Sequence, residues 1–478
     1  MKRKYFQKTM IVAGVALAIL AQAPAANADE QPPPAKSGFL RFCEQDYLLG
    51  DWGGTRTKLK DKGVDFEFDY FEATPVNISG GLRRGATWEG AFLALLDLDS
   101  EKLLGYHGGQ LHVGGLFFNS GTSFSGSYVG DLNKTSLLDF PDIAQLWELW
   151  YEQKFLDDKV AFKFGQLAID RDFIATEYYS SLAGVSLLNQ TFFYPTMAFN
   201  VYDQPGFPAG KHALASTPYG TPGVRLRIDP CQYAYFQFGA YDGNPDRTHG
   251  GTHINLGGDQ GALLYSELTL KINQSKDAQG PPGNIKIGGY YHTDDFFDMY
   301  QGTFWAFDNI LAGLGAPPFG VFPNPATHKG NYGLYFLADQ MLWREIGKDD
   351  PAQQGLAGFF RLGYAPPDRN LAQFGADGGL VYKGLIPTRN WDTLAIGASY
   401  LEISDDLKRA QRDINKVVPG AFTKIADYEA VLELSYKAQM TAWWTVQPSL
   451  QRVFHPGGRV SADIPDAWVF IVQTTLRF

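Results

Sequence analysis

Hydrophobic and polar residues alternate most clearly at the end of the chain. In 467–478, Trp468, Phe470, Val472, Thr474, Leu476 and Phe478 fall on one parity, and Gln473, Thr475 and Arg477 on the other. Strand side chains point to opposite faces in turn, so this predicts a strand with one apolar and one wetter face. A half-buried strand of a soluble sheet has the same period, and one segment alone does not fix the setting. The pattern recurs along the chain. About sixteen such segments are read, near 64–72, 86–98, 110–118, 144–154, 159–167, 222–228, 233–241, 261–272, 284–292, 331–341, 355–363, 375–385, 391–402, 427–438, 442–454 and 467–478. Typical lengths of roughly nine to thirteen residues suit a tilted strand that crosses a bilayer. No stretch approaches 18 or so consecutive apolar residues, which excludes a bundle of spanning helices but leaves a barrel open.

The connections alternate in length. Those at 155–158, 229–232, 386–390 and 439–441 are tight, whereas 119–143, 168–221, 293–330 and 403–426 are long. A membrane barrel with both termini inside has this rhythm of short periplasmic turns and long external loops. The links at 99–109, 273–283 and 342–354 are longer than the rhythm asks. No repeat or composition shift divides the rest, and Gly 53, Tyr 25 and Phe 35 favour turns, strands and interfacial girdles. The expectation is an all-β fold: a transmembrane antiparallel β-barrel of about 16 strands, with one external loop folded inward and a short periplasmic segment at the amino terminus.

At that terminus Lys2, Arg3, Lys4 and Lys8 precede an apolar run over 10–20, and Ala26-Asn27-Ala28 offers a cleavage site. This reads as an export signal over 1–28, since a run of roughly 11 residues is too short to span a bilayer. Residues 29–63 then form the periplasmic segment and 64–478 the barrel. Taking the signal's four basic residues from 41 leaves 37 against 51 acids, which argues against a nucleic-acid partner. In this register Cys231 falls in a short turn and Cys43 in the amino-terminal segment, so a disulfide is open to them, with two free thiols as the alternative.

Particular strings carry a family resemblance. Leu48-Leu49-Gly50-Asp51-Trp52-Gly53-Gly54-Thr55-Arg56, followed by a short helix candidate to Gly63, resembles the carbohydrate-selective porins of the OprB family. So do Gly80-Gly81-Leu82-Arg83-Arg84-Gly85, the Asp97–Leu103 run, Phe164-Gly165-Gln166-Leu167 leading to Asp172-Phe173, and Pro222-Gly223-Val224, in that order. The terminal phenylalanine is likewise similar to outer-membrane proteins. The resemblance implies a sixteen-stranded channel for glucose and related sugars in the outer membrane of a Gram-negative bacterium. Porins commonly associate as homotrimers, and no cofactor is expected.

A barrel of this size needs narrowing to be selective, and the connection over 168–221 is long enough to fold inward as the constriction, with an external cap as the alternative. Its start supplies Asp170, Arg171 and Asp172. Parity places Glu148, Trp150 and Glu152 of one strand, Lys163 of the next and Arg225 and Arg227 of the sixth toward the lumen. His112, Gln237, Glu267, Lys271, Lys286, His292, Arg361, Lys383, Glu433, Lys437, Gln447 and Arg477 obey the same rule. Arg83 and Arg84 approach from the first external loop. Sugars need hydroxyl partners beside flat apolar faces, which Trp88 with Glu89 and Trp150 between Glu148 and Glu152 would supply. Trp88, and on parity Trp147, fit an interfacial girdle as well.

Passage through such a lumen is gradient-driven, because tight binding would halt the solute. A porin for small carboxylates, drawn by the arginines, or a general diffusion porin is the alternative cargo reading. An outer-membrane hydrolase lacks support, since neither a GxSxG elbow nor an HExxH motif is present. A soluble β-sandwich lectin would share the alternation but not the export and terminal signals.

Overall fold

The computed structural model describes residues 42–177, 179, 185–193, 217–244, 250–252, 261–275, 278–315, 317, 320–345 and 353–478. The export signal expected over 1–28 lies outside the described residues. Sixteen strands make up the barrel: β1 Val64–Ser79, β2 Glu89–Asp99, β3 Gly109–Ser120, β4 Ile143–Phe155, β5 Val160–Leu167, β6 Thr221–Cys231, β7 Ala234–Asp242 and β8 Ala262–Ile272, followed by β9 Gly283–Phe297, β10 Thr327–Arg344, β11 Gly355–Tyr364, β12 Ala372–Lys383, β13 Thr393–Ile403, β14 Tyr428–Thr441, β15 Trp444–Phe454 and β16 Ala467–Arg477. A two-residue strand, Gly85–Ala86, adds to β1 at the long-loop rim. Every strand pairs antiparallel with its chain neighbour, and β1 pairs with both β2 and β16. Closure satisfies every edge, which a sheet in lipid requires because no water is there to bond a free amide.

Alternation sorts the two faces. On β7 the rings of Phe236 and Phe238 are exposed while Tyr235, Gln237 and Tyr241 are buried; on β8 Leu268 and Leu270 are exposed while Glu267 and Thr269 are buried. The expected wet parity of β16 holds at Gln473, but Val469 and Ile471 on the same face are packed against Phe124, Val129 and Leu138 of the second loop, 121–142. Much of the inner wall is thus covered by loop. Helices lie outside the strands as well. Helix α1, Thr55–Asp61, precedes the barrel and answers the short helix expected before Gly63, while α2, Ser100–Leu104, fills a turn. Helices α3, Met299–Gly313, and α4, Asp405–Val417, fill long connections where the strand pattern gave no sign of them, and pack together through Phe304, Ala410 and Ile414. Asp298 and Ser404 cap α3 and α4 by accepting amide hydrogens.

The segment before β1 grips the barrel seam. Trp52, Gly53 and Gly54 have φ of 50°, 69° and 87°, a left-handed turn that two glycines permit. Asp51 accepts from the Thr57 amide at 2.8 Å and its hydroxyl at 2.9 Å, which starts α1. The turn delivers Arg56, 4% exposed, to the carbonyls of Phe478 and Phe66. Its guanidinium lies 3.4 Å from the Tyr47 ring centre. The Leu48 amide donates to Arg477 at 2.8 Å and the Phe478 amide to Phe68 at 2.8 Å. First strand, last strand and amino-terminal segment therefore meet at one side chain.

Of the two readings left open for the cysteines, the structure has the free thiols: Cys43 and Cys231 are unbonded. Phe42 packs at a tilt against Trp443 in the β14–β15 turn, with ring centres 5.0 Å apart, so Cys43 is held there. Cys231 ends β6. The two sites stand half a turn of the barrel apart, too far for a bond that needs Cα atoms within about 7 Å.

Arg56→Ala should lower stability by about 2–3 kcal/mol, the worth of charge-assisted hydrogen bonds at a buried site. Urea unfolding of folded protein in lipid measures it. A loss under about 0.5 kcal/mol would remove the seam from this residue's role.

Candidate constriction site

Strand register sets the wall of the site. Asp97, His112 and Trp150 are cross-strand neighbours on β2, β3 and β4. One step toward the short turns, Glu152, Lys163 and Arg225 are neighbours on β4, β5 and β6. The His112 ring stacks on Trp150 with centres 4.8 Å apart and bonds Asp97 at 2.8 Å. Lys163 lies 4.4 Å from the Trp150 ring centre. Beyond Arg225 the wall turns to Gly223 and Gly239, over which the Tyr241 ring folds so closely that a Cβ would meet it at 2.4–2.5 Å.

The third loop, 168–220, enters from above. Its first turn, Ile169–Arg171, buries Ile169, and with Phe173 and Ile174 it packs on Tyr241, Tyr265, Tyr290 and Tyr335. That apolar contact aims Arg171 and Asp172 at the β2–β6 wall. Arg171 is the exposed member, 45% open at its side chain, with Glu148 3.9 Å away and the Trp147 ring centre 5.3 Å away. It also acts electrostatically on Asp97 and Glu67. Asp172 accepts from Lys163 at 2.7 Å and lies 3.4 Å from Arg225, which also bonds Glu152. Burial raises the Asp172 carboxyl, but Lys163 and Arg225 outweigh it and hold the group below the usual carboxylate range. At Asp170 burial prevails and the carboxyl is raised, although Thr217 donates its amide and hydroxyl, both at 2.8 Å.

Farther along, wall carboxylates hold loop amides. Glu267 accepts from Ile174 at 2.9 Å. Asp339 accepts from Tyr179 at 2.9 Å and from Glu177. Glu433 takes Leu188 at 2.6 Å and Asn189 at 2.9 Å, and Glu429 takes Leu132 and Asn133 of the second loop at 2.8 Å each. Conversely, Arg361 donates to the carbonyls of Thr191 and Phe192 at 2.9 and 2.8 Å. The described parts of both loops are therefore pinned inside the barrel, and the second loop joins the third through Gln190, which donates to the Ser136 carbonyl at 3.1 Å.

The structure brings together Glu148, Trp150, Glu152, Lys163, Arg171, Asp172 and Arg225. Asp170 lies beside them but ties the loop's own ends. Arg227 stands lower on the wall, bonded to Asp229 at 2.7 Å and 3.8 Å over Tyr235. Glu89 bonds Ser136 and so anchors the second loop. Arg83 stays on the rim, donating to the Ser127 carbonyl at 2.9 Å, and Arg84 is exposed beside it. Trp88 is exposed on the outer face, whereas Trp147 is 4% exposed and faces inward. A bulge opposite Gly114 and Gly115 shifts the parity of β4 there, which corrects the girdle reading of Trp147. Sequence reasoning missed Asp339 and Glu429 as anchors and Glu67 as a lumen acid. Period-2 acids at Asp65, Glu67 and Asp69 were the available signal for the last.

The chain is similar to known proteins. Residues 83–478 match the family described as carbohydrate-selective porin, OprB family. Porin B of Pseudomonas aeruginosa is 28% identical over 438 residues, covering 87% of this chain and 88% of its own. The putative porin QuiX of Acinetobacter baylyi is 23% identical and covers 91% and 94% respectively. A high-pH structure of Pseudomonas putida OprB shares the fold, with a TM-score of 0.74 over 91% of this chain and 99% of that one at 24% identity.

Two measurements test the anchoring. Glu433→Gln leaves two loop amides facing an amide in place of a carboxylate, so stability should fall by about 1–3 kcal/mol and channel current should become noisier. Quiet, unchanged single-channel traces would deny the latch. In the second loop, burial pushes the Asp131 carboxyl up to about 7; Ser125 and Lys134 oppose this and Asp139 adds to it. Between about 4 and 7 the folded loop keeps a proton that the unfolded chain has lost, so this group's contribution to stability falls as pH rises through that window. Asp131→Asn should gain on the wild type as pH rises from about 4 to 7 and hold a constant lead above that, read by urea unfolding at a series of pH values. A difference independent of pH would place that carboxyl in open solvent.

Proposed function

The chain belongs to the OprB family of carbohydrate-selective porins, and on that premise we propose that glucose and related neutral sugars diffuse past Arg171 and the acids facing it. The protein is an outer-membrane channel of a Gram-negative bacterium. One chain closes one barrel, so a homotrimer, as porins commonly form, would carry a separate passage in each subunit.

A single observation carries the reading: Arg171 is exposed beside Glu148 and over Trp147, at the level where the third loop crosses the wall. A guanidinium and carboxylates serve both hydroxyl roles, because one only donates and the other only accepts. The indole rings of Trp147 and Trp150 are covered by Arg171, His112 and Lys163, so they hold these side chains in place, and the sugar is met by the charged groups. These contacts are individually worth about 1 kcal/mol in water, weak enough for release. Transport is then diffusion down a gradient with no bond made or broken, and the chain acts as a channel without catalysis.

Small carboxylates fit this window less well. Glu67, Asp97 and Glu148 surround Arg171, so an anion drawn by the guanidinium also meets three acids. Liposomes with the pure protein should swell faster in glucose than in a monocarboxylate of similar size. Arg171→Ala should weaken sugar block of ion current roughly fivefold, the worth of one hydrogen bond. Equal swelling rates would leave a general diffusion porin, and unaltered block would move the sugar contact elsewhere.

A further inference from the structure

We propose that Asp172 is a specificity-determining residue that sets the charge of the constriction by neutralising two wall cations, Lys163 and Arg225. The inference rests on the channel reading above but not on which solute passes.

Four side chains form a closed set: Glu152, Lys163 and Arg225 from three adjacent strands, and Asp172 from the third loop. All are nearly buried, with side-chain exposures of 12%, 9%, 7% and 7%. Two positive and two negative charges cancel within the set. The strands alone do not balance, since they supply two cations and one carboxylate; the fourth charge arrives only when the loop folds in. Phe173 and Ile174, buried against the tyrosine wall, fix that arrival. Asp172 at 2.7 Å from Lys163 and 3.4 Å from Arg225 spans both cations at once.

The consequence lies next door. Lys163 and Asp172 both act on Glu148, the carboxylate 3.9 Å from Arg171. While Asp172 is charged, its field cancels that of Lys163, and Arg171 is left as the exposed cation among Glu67, Asp97 and Glu148. Without that carboxylate a surplus positive charge sits beside Arg171 where the third loop meets the wall, and Lys163 is free to turn toward Glu148. The acids that discourage anions are then partly neutralised. An exposed residue would have a weaker effect, because water would screen it.

The experiment uses the mature full-length protein in planar bilayers, with reversal potential read under a potassium chloride gradient. Asp172→Asn should raise the chloride-to-potassium permeability ratio by about twofold or more. Adding Lys163→Gln to that variant removes the surplus and should return the ratio to the wild-type value. Asp172→Glu, which keeps the charge, should leave it near the wild type. Lys163→Gln alone should shift the ratio the other way, and this arm stands even if Asp172→Asn does not fold. Unchanged ratios in Asp172→Asn or in Lys163→Gln would overturn the proposal. So would a shift that the added Lys163→Gln does not reverse, since that outcome marks Asp172 as a structural prop. Failure of the wild type to pass glucose would instead sink the sugar reading and leave these ratios interpretable.

Discussion

A carboxylate that receives backbone amides from a loop is the contact on which this molecule depends. A barrel of sixteen strands is wide, and a loop drawn into it carries peptide groups that have lost water. Each buried amide without a partner would cost about 1–3 kcal/mol. Glu433, Glu429, Asp339 and Glu267 meet that demand from three different strands, while Arg361 meets the carbonyls. Desolvating an acid is itself expensive, and two charge-assisted hydrogen bonds to one carboxylate offset much of that cost. Wall and loop are unfavourable apart and compatible together, which makes the infolded state a property of the whole.

Charge in the passage follows from the same economy of burial. Inner-wall parity selects polar residues, but it does not say which of them remain wet. Where a loop covers the wall, ions are paired or spent on amides and contribute little field to a passing solute. Where it does not, as at Asp97 and Glu67, or where the loop leaves an ion of its own exposed, as at Arg171, they remain available. Selectivity therefore belongs to the few uncovered groups and to the neutrality of the covered ones behind them. Net charge of the chain is a poor guide to it.

Much of the architecture was legible because barrel strands obey period 2 and the rhythm of the connections is independent of it. All sixteen segments are strands, and β6, read as seven residues, is eleven because Thr221 and the Asp229–Cys231 end carry no alternation signal. The misreading of Trp147 has a local cause, the bulge in β4, which parity cannot foresee. Glu148, Trp150, Lys163, Arg171, Asp172 and Arg225 could be named from sequence since each sits on a lumen parity or at the loop's start. Their division into one exposed cation and a buried neutral set could not, because it depends on how a distant loop packs. The same holds for Asp339 and Glu429, whose partners lie about 160 and 300 residues away. Helices α3 and α4 escaped because a strand template was applied to loops.

The most distinctive string of the chain lies away from the passage. Asp51 to Arg56 closes the seam between β1 and β16, where Arg56 reaches the carbonyl of the last residue. The demands on that site come from the backbone oxygens of Phe478 and Phe66 and do not involve the cargo. The loops that line the window are held by contacts that many sequences could satisfy, since an amide accepts any carboxylate placed opposite it. A motif there would be short, scattered and hard to see. Likeness at the seam therefore speaks strongly for the barrel and weakly for the solute, and the choice among sugars is written in side chains such as Arg171, Glu148 and Asp172, which no contiguous string brings together.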